Sequence, residues 1–178
     1  MDKSLIRKTM KQKRLFLDKE TFFHNSHIIF NKVIHHHMYE RSKNIGVYVS
    51  MNNEVDTINL IQHMINDGKN VVVPKVCGVD MEFYFIKSLD DLKEGYFHVL
   101  EPTTKEKIEP CNIDLMIVPM LAYDLSHHRV GYGKGYYDRY FSRGFQGYKL
   151  GLAFVCQQVD RIEVNEFDYQ LDEIINEV

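Results

Sequence analysis

The sequence has little cysteine, and its thiols are not arranged for disulfides or zinc. The three cysteines, Cys77, Cys111 and Cys156, are odd in number, widely separated and never spaced as Cys-x-x-Cys. Secreted disulfide frameworks and structural zinc sites depend on paired or closely spaced thiols. We therefore expect reduced thiols, a cytoplasmic location and no zinc site.

Long apolar runs and an excess of positive charge are also lacking. The longest apolar run, residues 115–123, contains Pro119 and is too short to span a bilayer. No apolar segment follows the basic start, so we expect no signal peptide. The net charge of -3 argues against general nucleic-acid binding, which usually needs a basic surface. These absences predict no membrane and no nucleic-acid partner.

Length and composition favour one domain. With 178 residues, 44% of them hydrophobic, the chain can bury a sizeable core. We expect N-terminal helices within residues 2–41, at 2–17 and 19–41, before an α/β core over residues 44–178. The predicted apolar face of the first helix consists of Leu5, Ile6, Met10 and Leu15. Histidines 35–37 are consecutive, which suits a solvated helix end better than a metal site.

A strand–helix–strand pattern opens the core. A strand is predicted over residues 44–50, then a helix capped by Asp56 or Thr57 and stopped by Gly68, then a strand over 71–74. Such a unit is typical of a βαβ crossover. Further strands are predicted at residues 81–86, 113–123 and 148–155 and in the tail. The pattern predicts an α/β, Rossmann-like three-layer sandwich with a mostly parallel sheet and helices on both faces.

A glycine-rich motif, RVGYGKGYYDR at residues 129–139, follows the most apolar part of the chain. Its alternating glycines let the backbone approach a ligand, and a helix starting near Tyr136 would present free N–H groups to an anion. Lys134 adds a mobile cation, and Asp138 adds an oxygen ligand suited to magnesium. The spacing is neither that of the P-loop nor that of the dinucleotide loop. The motif therefore indicates a phosphate loop of another kind.

Two adjacent motifs resemble the signature of the 5-formyltetrahydrofolate cyclo-ligases, also called methenyltetrahydrofolate synthetases. VPMLAYD at residues 118–124 and RVGYGKGYYD at 129–138 are similar to the family's Val-Pro-Gly-Leu-Ala-Phe-Asp and Arg-Leu-Gly-x-Gly-x-Gly-Tyr-Tyr-Asp. The sequence departs from the pattern at Met120, where the family prefers glycine, and at His127, where its insert carries a glycine. Neither departure removes a charged group.

The resemblance implies ATP-dependent conversion of 5-formyltetrahydrofolate to 5,10-methenyltetrahydrofolate, with release of ADP and phosphate. It implies that Lys134 and Arg129 stabilise the transferring phosphoryl group. Lys3 and Arg7 keep the Lys-x-x-x-Arg spacing of the family's nucleotide-binding first helix. The implied ATP-binding residues are Lys3, Arg7, Arg129, Val130, Gly131, Tyr132, Gly133, Lys134, Gly135, Tyr136 and Tyr137.

The resemblance also implies a folate site and a magnesium site. SMNNE at residues 50–54 is similar to a family loop whose glutamate contacts folate, so Glu54 is implied to bind the substrate, with Val49 in the pocket wall. Further implied substrate-binding residues are Tyr132, Gly133, Lys134, Gly135 and Tyr136. Asp138 and Asp168 are implied to hold Mg²⁺. We expect the protein to act as a monomer on this small-molecule substrate.

The residues by themselves leave other interpretations open. Lys3 and Arg7 also fit a solvated helix face, Glu54 fits an exposed loop, and the loop fits a tight glycine turn with packed tyrosines. A non-catalytic α/β domain that senses a phosphorylated metabolite would use the same loop without consuming ATP. An RNA- or membrane-associated protein would use the basic first helix, but the rest of the chain offers no basic surface.

Overall fold

The computed structural model describes residues 2–95 and 98–178. The helices of this part are α1 (Lys3–Leu15), α2 (Lys19–Ile34), α3 (His37–Arg41), α4 (Ile58–Asn66) and α5 (Tyr136–Phe141). Its strands are β1 (Asn44–Val47), β2 (Asn70–Cys77), β3 (Asp80–Ile86), β4 (Leu92–Glu94), β5 (Leu100–Pro102), β6 (Leu115–Val118), β7 (Ala122–Tyr123), β8 (Arg129–Val130), β9 (Tyr148–Leu152) and β10 (Glu173–Ile175). Among the described residues, no helix is long and apolar enough to cross a membrane.

The central sheet has six strands in the order β10-β9-β6-β1-β2-β3. All neighbouring strands are parallel except β2 and β3, which form an antiparallel hairpin at one edge. Ile45 of β1 lies opposite Val71 of β2 and Leu115 of β6. The predicted mostly parallel sheet is confirmed, and so is the βαβ crossover from β1 through α4 to β2.

The strands bury side chains on both faces of the sheet. Val71 and Val73 pack in one cluster with residues of α2 and α4, whereas Val72 packs in another with α5. Successive strand residues point to opposite faces, so the two clusters lie on opposite sides of the sheet. Each fully buried valine side chain stabilises the fold by about 1.5–3 kcal/mol. Helices therefore cover both faces, as the sequence predicts.

Helix α1 packs on the small hairpin of β7 and β8. It begins after Asp2, whose carboxylate accepts a hydrogen bond from the Leu5 amide at 3.3 Å. Ile6 and Met10 are buried against the hairpin. The predicted apolar face is wrong in part, because Leu5 is 55% exposed and Leu15 is 69% exposed. The packing fixes α1 beside the glycine-rich loop that follows β8.

The histidine run interrupts the predicted helix over residues 19–41. Helix α2 ends at Ile34 and α3 begins at His37, since the His36 ring caps α3 by accepting a hydrogen bond from the Met38 amide at 3.1 Å. The other ring nitrogen of His36 lies 2.9 Å from a carboxylate oxygen of Glu173. His36 is therefore engaged at a helix break. In the part of the chain that the structure describes, no three metal-ligating side chains form a cluster.

The apolar run over residues 113–123 is two short strands instead of one. Strand β6 belongs to the central sheet, and β7 pairs antiparallel with β8 outside it. Pro119 lies between them and has no N–H to continue a strand ladder. The break turns the chain away from the sheet and places the glycine-rich loop beside the carboxyl end of β6.

Candidate active site

A cavity of about 970 Å³ opens at the carboxyl ends of the central strands. From β1 the chain continues to β2 and β3 on one side, and later returns to β6, β9 and β10 on the other. Open α/β sheets bind ligands at such a switch point. Tyr48 and Val49, which follow β1, and Pro119, which follows β6, line the cavity. Its volume is at the upper end for small-molecule sites.

The structure brings every site residue predicted from the sequence into this one cavity. The cavity-lining residues among them are Lys3, Arg7, Val49, Glu54, Arg129, Val130, Gly131, Tyr132, Gly133, Lys134, Gly135, Tyr136, Tyr137, Asp138 and Asp168. They come from α1, the loop after β1, the segment from β8 into α5, and the tail. Lys3 and Asp168, at opposite ends of the chain, form a direct ion pair.

The glycine-rich loop lies directly under a side chain of α1. Gly133 has a φ of +94° and Gly135 a φ of +68°, in the left-handed region that favours glycine. A Cβ on Gly133 would lie 3.2 Å from the guanidinium carbon of Arg7. Arg7 Nε also donates a hydrogen bond to the carbonyl of Gly131 at 2.9 Å. The missing side chains therefore let Arg7 lie across the loop.

Two cations of this region are held differently. Arg129 is 6% exposed and donates from Nη2 to Asp138 Oδ1 at 3.0 Å, and its guanidinium carbon lies 5.6 Å from the centre of the Tyr137 ring. Lys134 is exposed at the cavity. Within residues 2–95 and 98–178, its Nζ has no hydrogen-bond or ion-pair partner. Lys134 is therefore free to meet an anionic ligand.

The two carboxylates implied for magnesium are each bound to a cation. Asp138 Oδ1 accepts from Arg129 and from the Tyr169 amide at 3.1 Å. Asp168 accepts from Lys3 and from the Asn165 amide. Burial raises the pKa of Asp168, but the Lys3 and Asn165 hydrogen bonds outweigh it and hold the pKa below its ordinary value.

This pair of carboxylates fits magnesium. Mg²⁺ usually takes one or two protein carboxylates and completes its octahedral shell with phosphate oxygens and water. Asp138 and Asp168 supply such a donor set on the wall that also carries Lys134. Magnesium would compete with Lys3 and Arg129 for these oxygens, since each carboxylate already has a cationic partner.

Glu54 also lines the cavity and is 5% exposed. Its Oε1 accepts from the Tyr132 hydroxyl at 2.7 Å, and its Oε2 accepts from the Met51 amide at 2.9 Å. The Tyr132 oxygen in turn accepts from Arg14 Nη2 at 2.9 Å. Burial raises the pKa of Glu54, while the Tyr132 and Met51 hydrogen bonds and the Arg14 charge partly oppose that rise. The loop expected to bind phosphate is thus joined to the predicted folate carboxylate.

Arg14 is not among the residues predicted for the site. The available signal is its position, eleven residues after Lys3 and seven after Arg7. At 3.6 residues per turn these spacings place all three side chains on one face of α1. Arg14 does not line the cavity, whereas the unpredicted residues that line it include Lys11, Pro74, Val76, Met81, Glu101 and Phe167. The β2–β3 hairpin brings three of these to the cavity, and no motif marks them.

The two departures from the family pattern are accommodated locally. His127 has a φ of +62°, a conformation that glycine adopts more readily. Its turn is closed by a hydrogen bond from the His127 amide to the Asp124 carbonyl at 3.0 Å. Met120 is buried, and its methyl group occupies the space that a Cβ on Gly151 would need. Neither substitution displaces a charged side chain from the cavity.

Comparisons with known proteins place the chain in a family. The family model described as "5-formyltetrahydrofolate cyclo-ligase family" matches residues 1–177. A probable 5-formyltetrahydrofolate cyclo-ligase of Caenorhabditis elegans is 30% identical over 98% of this chain and 92% of its own length. A 5-formyltetrahydrofolate cyclo-ligase of Mus musculus is 30% identical, with 97% and 92% covered. The solved structure of Aquifex aeolicus 5,10-methenyltetrahydrofolate synthetase matches with a TM-score of 0.90 at 32% identity, covering 99% of this chain and 90% of that one. The chain belongs to the 5-formyltetrahydrofolate cyclo-ligase family.

Proposed function

We propose that the cavity between β1 and β6 is where this chain carries out the activity for which its family is named. The reaction is the conversion of 5-formyltetrahydrofolate to 5,10-methenyltetrahydrofolate, with ATP as co-substrate. Its main support is the convergence of the implied nucleotide, metal and folate residues on one cavity at the switch point of the sheet. A folate and a nucleotide must meet there, because the reaction transfers a phosphoryl group between them.

The chemistry explains the need for ATP. The formyl oxygen attacks the γ-phosphorus, and ADP leaves. The second folate nitrogen then attacks the formyl carbon, and phosphate departs with the former formyl oxygen while that nitrogen loses its proton. An oxygen leaving by itself would be a poor leaving group, and phosphorylation makes it a good one. Positioning and charge stabilisation are the main demands on the protein.

The phosphate side of the site is the glycine-rich loop with the cations around it. The Lys134 Nζ has no partner among the described residues and would meet the transferring phosphoryl group, together with Arg129. Arg7 lies across the loop and Lys3 lines the same wall, so both would bind ATP phosphates. The loop from Val130 to Tyr137 would supply backbone N–H groups at close range because three of its residues have no side chain.

Asp138 and Asp168 would hold magnesium beside these phosphates. When bound, the ion neutralises phosphate charge and stabilises the leaving ADP. The protein's own contribution is to hold both carboxylates in place. Hydrogen bonds from Arg129 and Tyr169 orient Asp138, and those from Lys3 and Asn165 orient Asp168.

The folate side would be the wall that carries Glu54. Its carboxylate can accept a hydrogen bond from an N–H of the substrate, since each oxygen keeps a lone pair beyond the protein bonds. Val49 is buried beside it, and Tyr136 and Tyr137 line the cavity. Tyr137 also packs against Phe83, with the ring centres 6.3 Å apart. This apolar floor would support a flat ring.

We also propose that residues 1–178 act as one domain, and that the protein works as a cytoplasmic monomer. The N-terminal helices supply Lys3 and Arg7 to a cavity whose other walls come from the α/β core. All the residues implied for the site come from one copy of the chain. Its three cysteines are free, which suits a reducing compartment.

The activity is tested with purified protein, ATP, Mg²⁺ and 5-formyltetrahydrofolate. Methenyl-folate absorbance should rise only when all three are added, with one ADP formed per methenyl group. With an ¹⁸O-labelled formyl group, the label should appear in the released phosphate. Binding of nucleotide or folate with no absorbance change would instead indicate the non-catalytic metabolite sensor. If the ¹⁸O were released into water instead of into phosphate, phosphorylation of the formyl oxygen would be contradicted.

A further inference from the structure

A buried chain of hydrogen bonds links α1, the glycine-rich loop and the folate wall. Arg14 has only donors, so its Nη2 donates to the Tyr132 oxygen, and the Tyr132 hydrogen is left to point at Glu54. Although Tyr132 as a residue is 39% exposed, its hydroxyl lies between Arg14 and Glu54, which are 2% and 5% exposed. The direction of donation is therefore fixed from Arg14 through Tyr132 to Glu54.

The two ends of this chain are opposite charges that depend on each other. A buried charge is costly unless it is paired and hydrogen-bonded. Within the described residues, Arg14 Nε and Nη1 have no hydrogen-bond partner, and the one side-chain hydrogen bond of Arg14 goes to Tyr132. Glu54 has no cation in direct contact there either. The Tyr132 hydroxyl therefore bridges a buried ion pair.

We propose that Arg14 is a positioning residue for the folate substrate, acting through the Tyr132 hydroxyl to hold the Glu54 carboxylate in one orientation toward the cavity. This rests on the proposed function, because it assigns Glu54 to folate. Arg14 lies behind the wall and does not line the cavity itself.

The arrangement separates the effects on the two substrates. Loss of the hydroxyl leaves Glu54 with one fewer donor and the Arg14 charge unbridged, whereas Arg7 keeps its hydrogen bond to the Gly131 carbonyl. The titratable groups facing Glu54 are Tyr48, Tyr132 and Tyr137, with Arg14 as the charged one. Burial and the nearby carboxylate raise the pKa of all three phenols, so they stay neutral at working pH.

The test compares Tyr132→Phe, Arg14→Met and the double variant in steady-state kinetics. Tyr132→Phe should raise the KM for 5-formyltetrahydrofolate at least about tenfold, as expected for a lost hydrogen bond to a charged group, and leave the KM for ATP near the wild-type value. The acid limb of kcat/KM for folate should move to higher pH, because the lost donor is one that lowers the Glu54 pKa. Arg14→Met should have the same effects, Arg14→Lys should restore part of the loss, and the double variant should be no worse than either single one.

Tyr39→Phe is the matched control, since Tyr39 donates to a carboxylate at 3.0 Å, that of Asp67, away from the cavity. It should keep wild-type kinetics. An unchanged folate KM and pH profile in Tyr132→Phe would overturn the proposal, and so would independent, multiplying effects of the two changes. If Arg14→Met does not fold, the Tyr132→Phe variant alone tests the proposal, because it retains the Arg14 side chain and its charge. A wild-type protein without turnover would contradict the proposed function instead, so the two failures are distinguishable.

Discussion

At the residue scale, Lys134 and Arg129 carry the same charge but are held differently. The Arg129 side chain is 6% exposed and paired with Asp138, so its position is set before any ligand arrives. Lys134 is exposed, with no side-chain partner among the residues described. Preorganised charge and a mobile cation together suit a phosphoryl group whose charge spreads during transfer.

Lys134→Ala should abolish most turnover and leave the fold intact. Losing one charge contact to the transferring group costs about 3–4 kcal/mol in the barrier, by analogy with a lost oxyanion-hole donor, so kcat should fall about 10²–10³-fold. Lys105→Ala is the control, because Lys105 is exposed and outside the cavity lining. Steady-state kinetics and circular dichroism on the same preparations check both. Wild-type turnover in Lys134→Ala would remove Lys134 from its proposed role.

The charged residues of the site could be predicted from the sequence because a motif marks them. Arg129, Lys134 and Asp138 lie in one continuous run, and Lys3 and Arg7 have a helical spacing. Arg14 could not be assigned in this way, because a third cation on a basic helix usually faces solvent. Only the packing of α1 on the β7–β8 hairpin buries it beside Tyr132.

At the scale of elements, the contact between α1 and the glycine-rich loop decides how the phosphate side is built. Gly133 is where the two meet, since Arg7 lies over it. Gly144 has a similar backbone, with φ of +89° against +94°, but a Cβ there would meet nothing within 4 Å. Substituting each glycine in turn therefore separates the effect of backbone strain from the effect of pushing the Arg7 side chain away from the loop.

Gly133→Ala and Gly144→Ala should lose similar stability, about 1–2 kcal/mol each, because both force alanine into the left-handed region. Only Gly133→Ala should raise the KM for ATP, by about tenfold, since its methyl group would displace the Arg7 side chain. Thermal unfolding and ATP kinetics measure the two effects. An equal ATP KM in both variants would mean that Arg7 does not bind the nucleotide through this contact.

Element boundaries were the least predictable part of the fold. The apolar pattern over residues 19–41 runs through the histidines, yet the His36 ring competes for a backbone amide and starts a new helix. The apolar run over residues 113–123 likewise predicts one strand unless Pro119 is treated as the residue that ends it. In both cases a local change in backbone hydrogen bonding ends an element. Hydrophobic periodicity carries no information about such changes.

At the scale of the whole molecule, the strand order creates the site. Helix and strand patterns predict a mostly parallel sheet. The pairing of β6 with β1 is a long-range contact, and no local sequence pattern predicts it. The cavity depends on that pairing, because it sets the loop after β6 next to the loop after β1. The walls from β2 and β3 follow from the same topology.

Asp124 should make the stability of the whole fold depend on acid. Burial raises the pKa of Asp124, but hydrogen bonds from the Ile162 and His128 amides and the His128 ring outweigh it, so the pKa is below its ordinary value. A depressed pKa contributes stability above the unfolded value of about 3.9, and this is lost as pH falls through the folded pKa. Asp124→Asn should therefore lose about 1–3 kcal/mol near pH 7 and progressively less below about pH 4.

Urea unfolding of Asp124→Asn and wild type across pH 7 to 3 measures this difference. Asp160→Asn is the control, because Asp160 is exposed and should change the free energy of unfolding little at any pH. A constant deficit for Asp124→Asn across the range would mean that the loss comes from packing and not from the carboxylate charge.

The most direct measurement is a crystal structure with a non-hydrolysable ATP analogue, Mg²⁺ and 5-formyltetrahydrofolate bound together. The γ-phosphate should lie against Gly133 and Lys134, the metal between it and Asp138, and the folate against Glu54 with its formyl oxygen toward the γ-phosphorus. A triphosphate bound away from the glycine-rich loop, or a folate on the far side of the cavity from it, would contradict the account.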